Sequence, residues 1–378
     1  MPCPNCGQQT LGGHYCPHCG THLVDETPAR GHRRAHAFAA NPHESVYHPA
    51  IVSTFFPHLA PHRTQQVRWI LLLGVGIIFL FGLARYVPIA IVAAALLIPL
   101  LYLAYFYDVA IYEDEPMWVL GATFLLGAIL GAGASLYFYP LIVKYERIGL
   151  APETTFIWLT GVIVPIVGQL LMLVGPLMLF FTRRRFNEVL DGLSFGVASG
   201  LGYAAAQSIV YSWLLIVGRF QQTGPATSWA LPTLRISVLV PLLYAATTGL
   251  ICAVLWLRRD PQPPTKPLGV LASLPVAVLI ALVAQVVPAL GNDLVGGLII
   301  ALLWYGATLL VMLLLVRHVL HIALTAKARE LGHGGMLRCP QCHHEVPDVP
   351  FCPNCGLAMR STAKRARRAA VVGGQANE

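Results

Sequence analysis

The chain has 378 residues, of which 56% are hydrophobic and only 11% charged. Soluble domains average about 45–50% apolar and about 25% charged residues, so a soluble fold of this size is excluded. A disordered chain, which needs low hydrophobicity and high charge, is excluded too. The formal net charge of +8 belongs to tails and loops: all 14 His lie outside residues 63–317, and eight of the nine Cys lie at the two ends. This composition points to an all-α polytopic membrane protein.

Residues 3–20 read CPNCGQQTLGGHYCPHCG, which is C-x2-C, nine residues, C-x2-C. Residues 339–356, CPQCHHEVPDVPFCPNCG, repeat that spacing at the other end of the chain. Paired cysteines separated by two residues let one tight turn present both sulfurs to one ion, and four thiolates suit a tetrahedral Zn²⁺. Gly follows the second Cys in three of the four turns and relieves the turn exit; His343 takes that place in the fourth. A unit of about 20 residues buries too little core to fold alone, so metal must supply the folding energy.

Two structural Zn²⁺ ions are therefore expected, one held by Cys3, Cys6, Cys16 and Cys19, the other by Cys339, Cys342, Cys352 and Cys355. Disulfides and a rubredoxin-like iron site are the other readings of the same spacing. A catalytic zinc is disfavoured, since four cysteine ligands leave no open position. The segments resemble zinc ribbons of the double-zinc-ribbon kind, which implies adaptor modules that bind a partner. His14, His18, His343 and His344 are read as solvated neighbours.

A His/Pro-rich linker, 21–66, follows the first ribbon at 1–20. Its apolar patch at 47–59 is broken by Pro57 and is read as interfacial. The first long apolar run begins near Trp69, so residues 1–66 do not read as a cleavable leader. The transmembrane domain, 67–317, holds eight apolar runs, at about 68–85, 88–107, 117–138, 155–182, 190–217, 236–257, 268–290 and 294–317. Each reaches the approximately 17–20 residues that cross hydrocarbon as a helix. No barrel alternation is visible, and helices satisfy their own backbone groups. Pro165 and Pro176 predict a kinked or partly unwound fourth span. Beyond the last span come a linker helix at 318–337, the second ribbon at 338–357 and a basic disordered tail at 358–378.

Eight spans place both ends on one side. With that side inside, 20 of the 25 Lys and Arg are inside, and 5 (Arg85, Lys144, Arg147, Arg219 and Arg235) are outside. The positive-inside rule then makes both termini cytoplasmic in a cell-membrane protein. Thiolate zinc sites also favour that reducing compartment. The acidic run at 113–115 is read as a solvated loop and Arg183, Arg184 and Arg185 as a stop at the membrane edge. The tail, with Arg360, Lys364, Arg365, Arg367 and Arg368, suits anionic lipid. Nucleic acid is not expected, because no stacking aromatics or reading element accompany those charges.

Residues 105–127 read YFYDVAIYEDEPMWVLGATFLLG; VPIVGQLLM follows at 164–172, then RRRFNEVLDGLSFGVASGLGYAAAQSIVY at 183–211. Their order and spacing over about 100–257 resemble the PrsW family of membrane-embedded proteases. That family has an EP-containing stretch, an EExxK helix entered through a proline, a DG…YG…G-x-GF-A…EN…Y segment and a later His. Asp191, Gly192, Gly196, Gly200, Gly202 and Tyr211 fall in place. The chemistry departs from the pattern. Gly168, Gln169 and Met172 stand at the EExxK positions, Gln207 and Ser208 at the EN pair, and Tyr244 where the His is expected. An intramembrane protease must make a nucleophile from water with a base or an open metal. The acids nearest the core, Asp108, Glu188 and Asp191, are expected at cytosolic helix ends, and Glu146, Glu153 and Asp293 in outer loops. Cys252 reads as a packing residue.

The expectation is a non-catalytic relative, with no catalytic residue. Its core would bind other membrane proteins, its ribbons would recruit cytosolic proteins, and its spans would contact lipid. An active protease using displaced residues such as Asp108 and Asp191 is the alternative. A transporter is a further one, weakened by the lack of inverted repeats and buried charge.

Overall fold

The computed structural model of the chain describes residues 2–4, 7–10, 12–23, 61–84, 87–108, 117–148, 153–182, 186, 189–217, 235–259, 273–295, 298–327, 336–339 and 342–359. The apolar patch at 47–59, the acidic run at 113–115, the arginine run at 183–185, Glu188 and the basic tail lie outside the described residues, as does Cys6.

The apolar runs form helices, as hydrocarbon requires of any backbone that must satisfy itself. In chain order these are α1 (Pro61–Leu83), α2 (Val87–Asp108), α3 (Met117–Ile148), α4 (Glu153–Trp158), a π-helical turn (Leu159–Ile163), α5 (Val164–Thr182), α6 (Val189–Val217), a second π-helical turn (Arg235–Leu239), α7 (Val240–Leu257), α8 (Leu274–Val295) and α9 (Leu298–Lys327). The first π turn ends just before Pro165, whose missing N–H removes one rung of the regular ladder there.

Six of the eight expected spans, the third to the eighth, are met among the described residues. Among the described residues, the helices long and apolar enough to cross a membrane are Trp118–Ile142, Thr155–Thr182, Val189–Tyr211, Val240–Leu257, Leu274–Gly291 and Ile299–Leu320. Among the described side chains, α1 and α2 carry the apolar stretches Trp69–Phe81 and Val92–Tyr102. The helices also run past the expected ends of the spans. Glu146 thus lies in the last turns of α3, Glu153 opens α4, and Asp293 is inside α8, so none of the three is a loop residue.

α6 and α7 form the centre of the bundle. In each, 83% of the apolar span is buried, against 28–39% in the other spans. α6 packs most extensively against α3 on one side and α7 on the other. Small residues make this possible, because helices in lipid gain from close packing rather than from leaving water. Gly192, Gly196 and Gly200 form a row at intervals of one turn. A Cβ on any of them would lie 2.7 Å from the carbonyl oxygen of Cys252, Thr248 or Tyr244 on α7. A Cβ on Gly202 would come within 2.1 Å of the Phe124 carbonyl oxygen on α3. One end of this centre is closed by aromatic rings. The Trp256 indole N–H donates to the Phe186 carbonyl at 3.0 Å, and the Arg259 guanidinium lies 3.8 Å over the Phe180 ring.

The chain's ends fold as small cysteine modules. In the C-terminal one, β1 (Met336–Arg338) and β2 (Glu345–Pro347) pair antiparallel in the register Met336↔Pro347, Leu337↔Val346, Arg338↔Glu345. The N-terminal module repeats it, with Pro2↔Gln9 where the other has Arg338↔Glu345, and Tyr15↔His22 where the other has Phe351↔Ala358. Each knuckle closes on its own cysteine. Gly7 N–H donates to Cys3 O at 2.9 Å and Gly20 N–H to Cys16 O at 2.8 Å; His343 to Cys339 and Gly356 to Cys352 do the same at 2.9 and 2.8 Å. Gly7, Gly20 and Gly356 have φ of 71°, 70° and 72°. His343 is held at 58° in the same left-handed region, at a cost a glycine avoids.

Candidate metal centres and a buried polar core

In the C-terminal module the Sγ atoms of Cys339, Cys342, Cys352 and Cys355 all lie within 4.8 Å of one another, a set that can hold one metal ion. Sulfur–sulfur distances of 3.7 Å separate Cys339 from Cys355 and Cys342 from Cys352. These are far beyond the about 2.05 Å of a disulfide. Hydrogen bonds from Cys339 and Cys355, backbone donors and the opposing effect of burial set the Cys352 thiol, with the net result lowered to about 4. Cys355, on the giving side of that sharing, is pushed up. A cation in the centre of such a cluster displaces the shared protons. The module's small core is Val346, Leu357 and Met359 around the sulfurs.

In the N-terminal module Cys3, Cys16 and Cys19 form the same kind of cluster, with Cys3 and Cys19 sulfurs 3.6 Å apart. Its fourth expected ligand, Cys6, is outside the described residues. His343 and His344 are exposed, and His344 Nδ1 lies 3.0 Å from the Cys342 carbonyl oxygen. Cys252 is fully buried against the Gly196 face of α6, as a packing residue would be.

The second constellation sits inside the bundle, where α5, α7 and α8 converge. Gln169, which the resemblance sets at one EExxK position, is wholly buried. Its Nε2 donates to Thr248 Oγ1 at 3.3 Å, and its Oε1 accepts from Gln285 Nε2. The same Gln285 amide reaches Thr247 Oγ1 at 3.0 Å. Thr248 Oγ1 also lies 3.7 Å from Met172 Sδ, and Ser199 Oγ donates to the Met172 carbonyl at 2.6 Å. Gln285 Oε1 has no hydrogen-bond partner, although the residue is 3% exposed. A buried orphan acceptor of this kind costs about 1–3 kcal/mol.

Gln207, which the resemblance sets at the EN position, serves a neighbouring group. It hydrogen-bonds Tyr211 and Tyr244, and Ser135 also bonds Tyr211. Tyr203 and Tyr244 rings meet at 5.9 Å, and the Tyr203 hydroxyl faces Gly168. Tyr244, placed by the sequence where the family His belongs, therefore sits with the tyrosines. On α7, Thr248 meets Gln169 and Thr247 meets Gln285.

These three residues, Thr247, Thr248 and Gln285, escape a search restricted to acids and histidines. Gln285 had a visible signal, as the one amide in the run VLIALVAQVVPAL. Asp191 is in the first turn of α6, and Asp108 ends α2 with its side chain outside the description.

The chemistry of this donor set is neutral throughout. A catalytic zinc takes three His, carboxylate or thiolate ligands and keeps one position open. Amide, hydroxyl and thioether groups at Gln169, Thr247, Thr248, Gln285 and Met172 do not fit that ion. Amides and hydroxyls can instead hold one another, a water or another polar group by hydrogen bonds.

Comparison with curated proteins and with solved structures finds no match. The family model described as PrsW family intramembrane metalloprotease matches residues 115–317, more than half of the chain. Its match covers the helices that build the buried polar core, and the chain belongs to the PrsW family.

Proposed function

We propose that this is a non-catalytic PrsW-family integral membrane protein. Its bundle binds transmembrane segments of other proteins, and its two cysteine modules, each loaded with one Zn²⁺, recruit cytosolic partners. In this reading the residues divide as ribbon at 1–20, linker at 21–66, transmembrane domain at 67–317, linker helix at 318–337, ribbon at 338–357 and tail at 358–378. Both termini are cytoplasmic, as the positive-inside rule favours.

The observation that carries the reading is the neutral donor set at Gln169, Thr247, Thr248 and Gln285. Gln and Thr keep shape and hydrogen bonding and lack the basicity that activates water near neutral pH. The zinc assignment rests on the four-sulfur cluster at Cys339, Cys342, Cys352 and Cys355 and its counterpart at Cys3, Cys16 and Cys19. With all four ligands supplied by the protein, the zinc is structural.

The test is reconstitution of the purified chain in liposomes with transmembrane peptides. The expected result is binding without new peptide ends. Cleavage that disappears on Gln169→Ala or Asp191→Ala would establish an active protease with displaced residues.

A further inference from the structure

The two cysteine modules touch. Tyr15 N–H donates to the Pro353 carbonyl at 2.9 Å, and Phe351 N–H donates to the Pro17 carbonyl at 3.0 Å. The bonds are reciprocal: in each module the residue before the third cysteine gives, and the proline after it receives. Two like edges thus pair with each other, as strand edges do when they present unpaired N–H and C=O groups. Side chains follow the same line. A Cβ on Gly356 would lie 2.7 Å from the Tyr15 ring, and one on Gly13 would lie 2.7 Å from the Pro353 carbonyl oxygen. The pair is also tied to the bundle, because Phe351 and Ala358 belong to the same buried apolar cluster as Val319, Leu320 and Ile322 of α9.

We propose that the two ends of the chain close into one two-metal clasp, in which zinc at either module strengthens the hold on zinc at the other. This rests on the zinc reading above. The physical basis is that the pairing bonds flank ligands: Tyr15 and Pro17 bracket Cys16, and Phe351 and Pro353 bracket Cys352. A module unfolded by loss of its ion cannot present that edge, so its neighbour loses the bonds too. The clasp also constrains topology. Its two halves stand on either side of every described helix, so they meet only if an even number of helices crosses the membrane between them. Six crossings and eight both satisfy this. The clasp turns an open string of helices into a closed loop, and loss of either ion opens it.

The test uses the full-length chain in detergent. Zinc per chain is measured first, and zinc is then withdrawn by a graded chelator from wild type, a Cys339→Ser, Cys355→Ser variant and Tyr15→Ala. Amide exchange at Tyr15 and Phe351 is followed in the same samples. The expected result is two zinc ions in wild type. In the cysteine variant the remaining N-terminal ion leaves at about tenfold lower chelator, the equivalent of one or two hydrogen bonds, and the Tyr15 amide exchanges freely. Tyr15→Ala, which retains all eight ligands and a normal backbone, moves the same way by a smaller factor. Two zinc ions in wild type with unchanged N-terminal retention in the cysteine variant would overturn the coupling alone. A wild-type chain that binds no zinc would overturn the metal reading and the coupling with it.

Discussion

Polar atoms converge at two places in this protein, and the two have kept opposite chemistry. In the cysteine modules every donor is one that a metal ion takes up as an anion, and the sulfurs lie within 4.8 Å of one another. In the bundle, amides and hydroxyls lie at hydrogen-bond distance and none carries a charge. The first arrangement has little apolar core of its own, so an ion held there would supply its folding energy. The second is surrounded by packed helices and depends on its ligand-like groups very little. Burial is therefore a poor guide to which polar cluster holds a protein together. What matters is how much apolar packing would survive without it.

That contrast can be broken most severely at the sulfurs. Cys352→Ser removes one of four ligands from a module whose binding energy is its folding energy, and structural zinc in finger peptides is worth about 10–16 kcal/mol. The expected outcome is loss of one zinc per chain, read by metal analysis, with the helical circular dichroism of the bundle retained. Concurrent collapse of the bundle would show the two regions to be a single folding unit.

Next in size is Gly202→Val. Its side chain has no room, since a Cβ alone would come within 2.1 Å of Phe124 O. Overpacking costs about 1–3 kcal/mol where neighbours can shift. Here the neighbour is backbone, so the variant is expected at or above the top of that range, as a lower unfolding midpoint in detergent. Zinc content should stay unchanged.

Gln169→Leu tests the neutral core itself. It strips Gln285 and Thr248 of a partner, and hydrogen bonds between membrane helices average about 0.6 kcal/mol with a maximum near 1.7. A loss of about 1 kcal/mol is expected. Gln285→Leu, which also removes the orphan carbonyl, should cost less. If Gln285→Leu proved the more damaging of the two, an unseen partner on Gln285 Oε1 would be indicated.

The smallest effect belongs to His343→Gly. It relieves a left-handed residue at φ 58° where the three other knuckles carry glycine. A gain of up to about 1 kcal/mol is expected, read as zinc held at slightly higher chelator in the C-terminal module. No gain would mean that the exposed His343 ring makes a contact that offsets the strain.

The helices and the cysteine modules were legible early because both are written locally. A run of apolar residues long enough for hydrocarbon has no other stable form, and C-x2-C twice at equal spacing has few. The third to eighth apolar runs were legible as spans for the same reason, and each is met by a described helix long and apolar enough to cross. The buried core was half legible. Gln169, Met172 and Gln207 could be found from motif positions, whereas Thr247, Thr248 and Gln285 belong to it only through packing.

The sequence by itself determined composition class, helix positions and the paired cysteines at each end. Each depends on residues close together in the chain or on their chemical type alone. Tertiary structure decided which side chains of α5, α7 and α8 share hydrogen bonds, and that Tyr15 meets Pro353 and Phe351 meets Pro17 from opposite ends of the chain. Such contacts depend on helix rotation and crossing, which the close approach of glycine faces on α6 sets. No local pattern carries that information, because the same small residues permit tight packing against any neighbour.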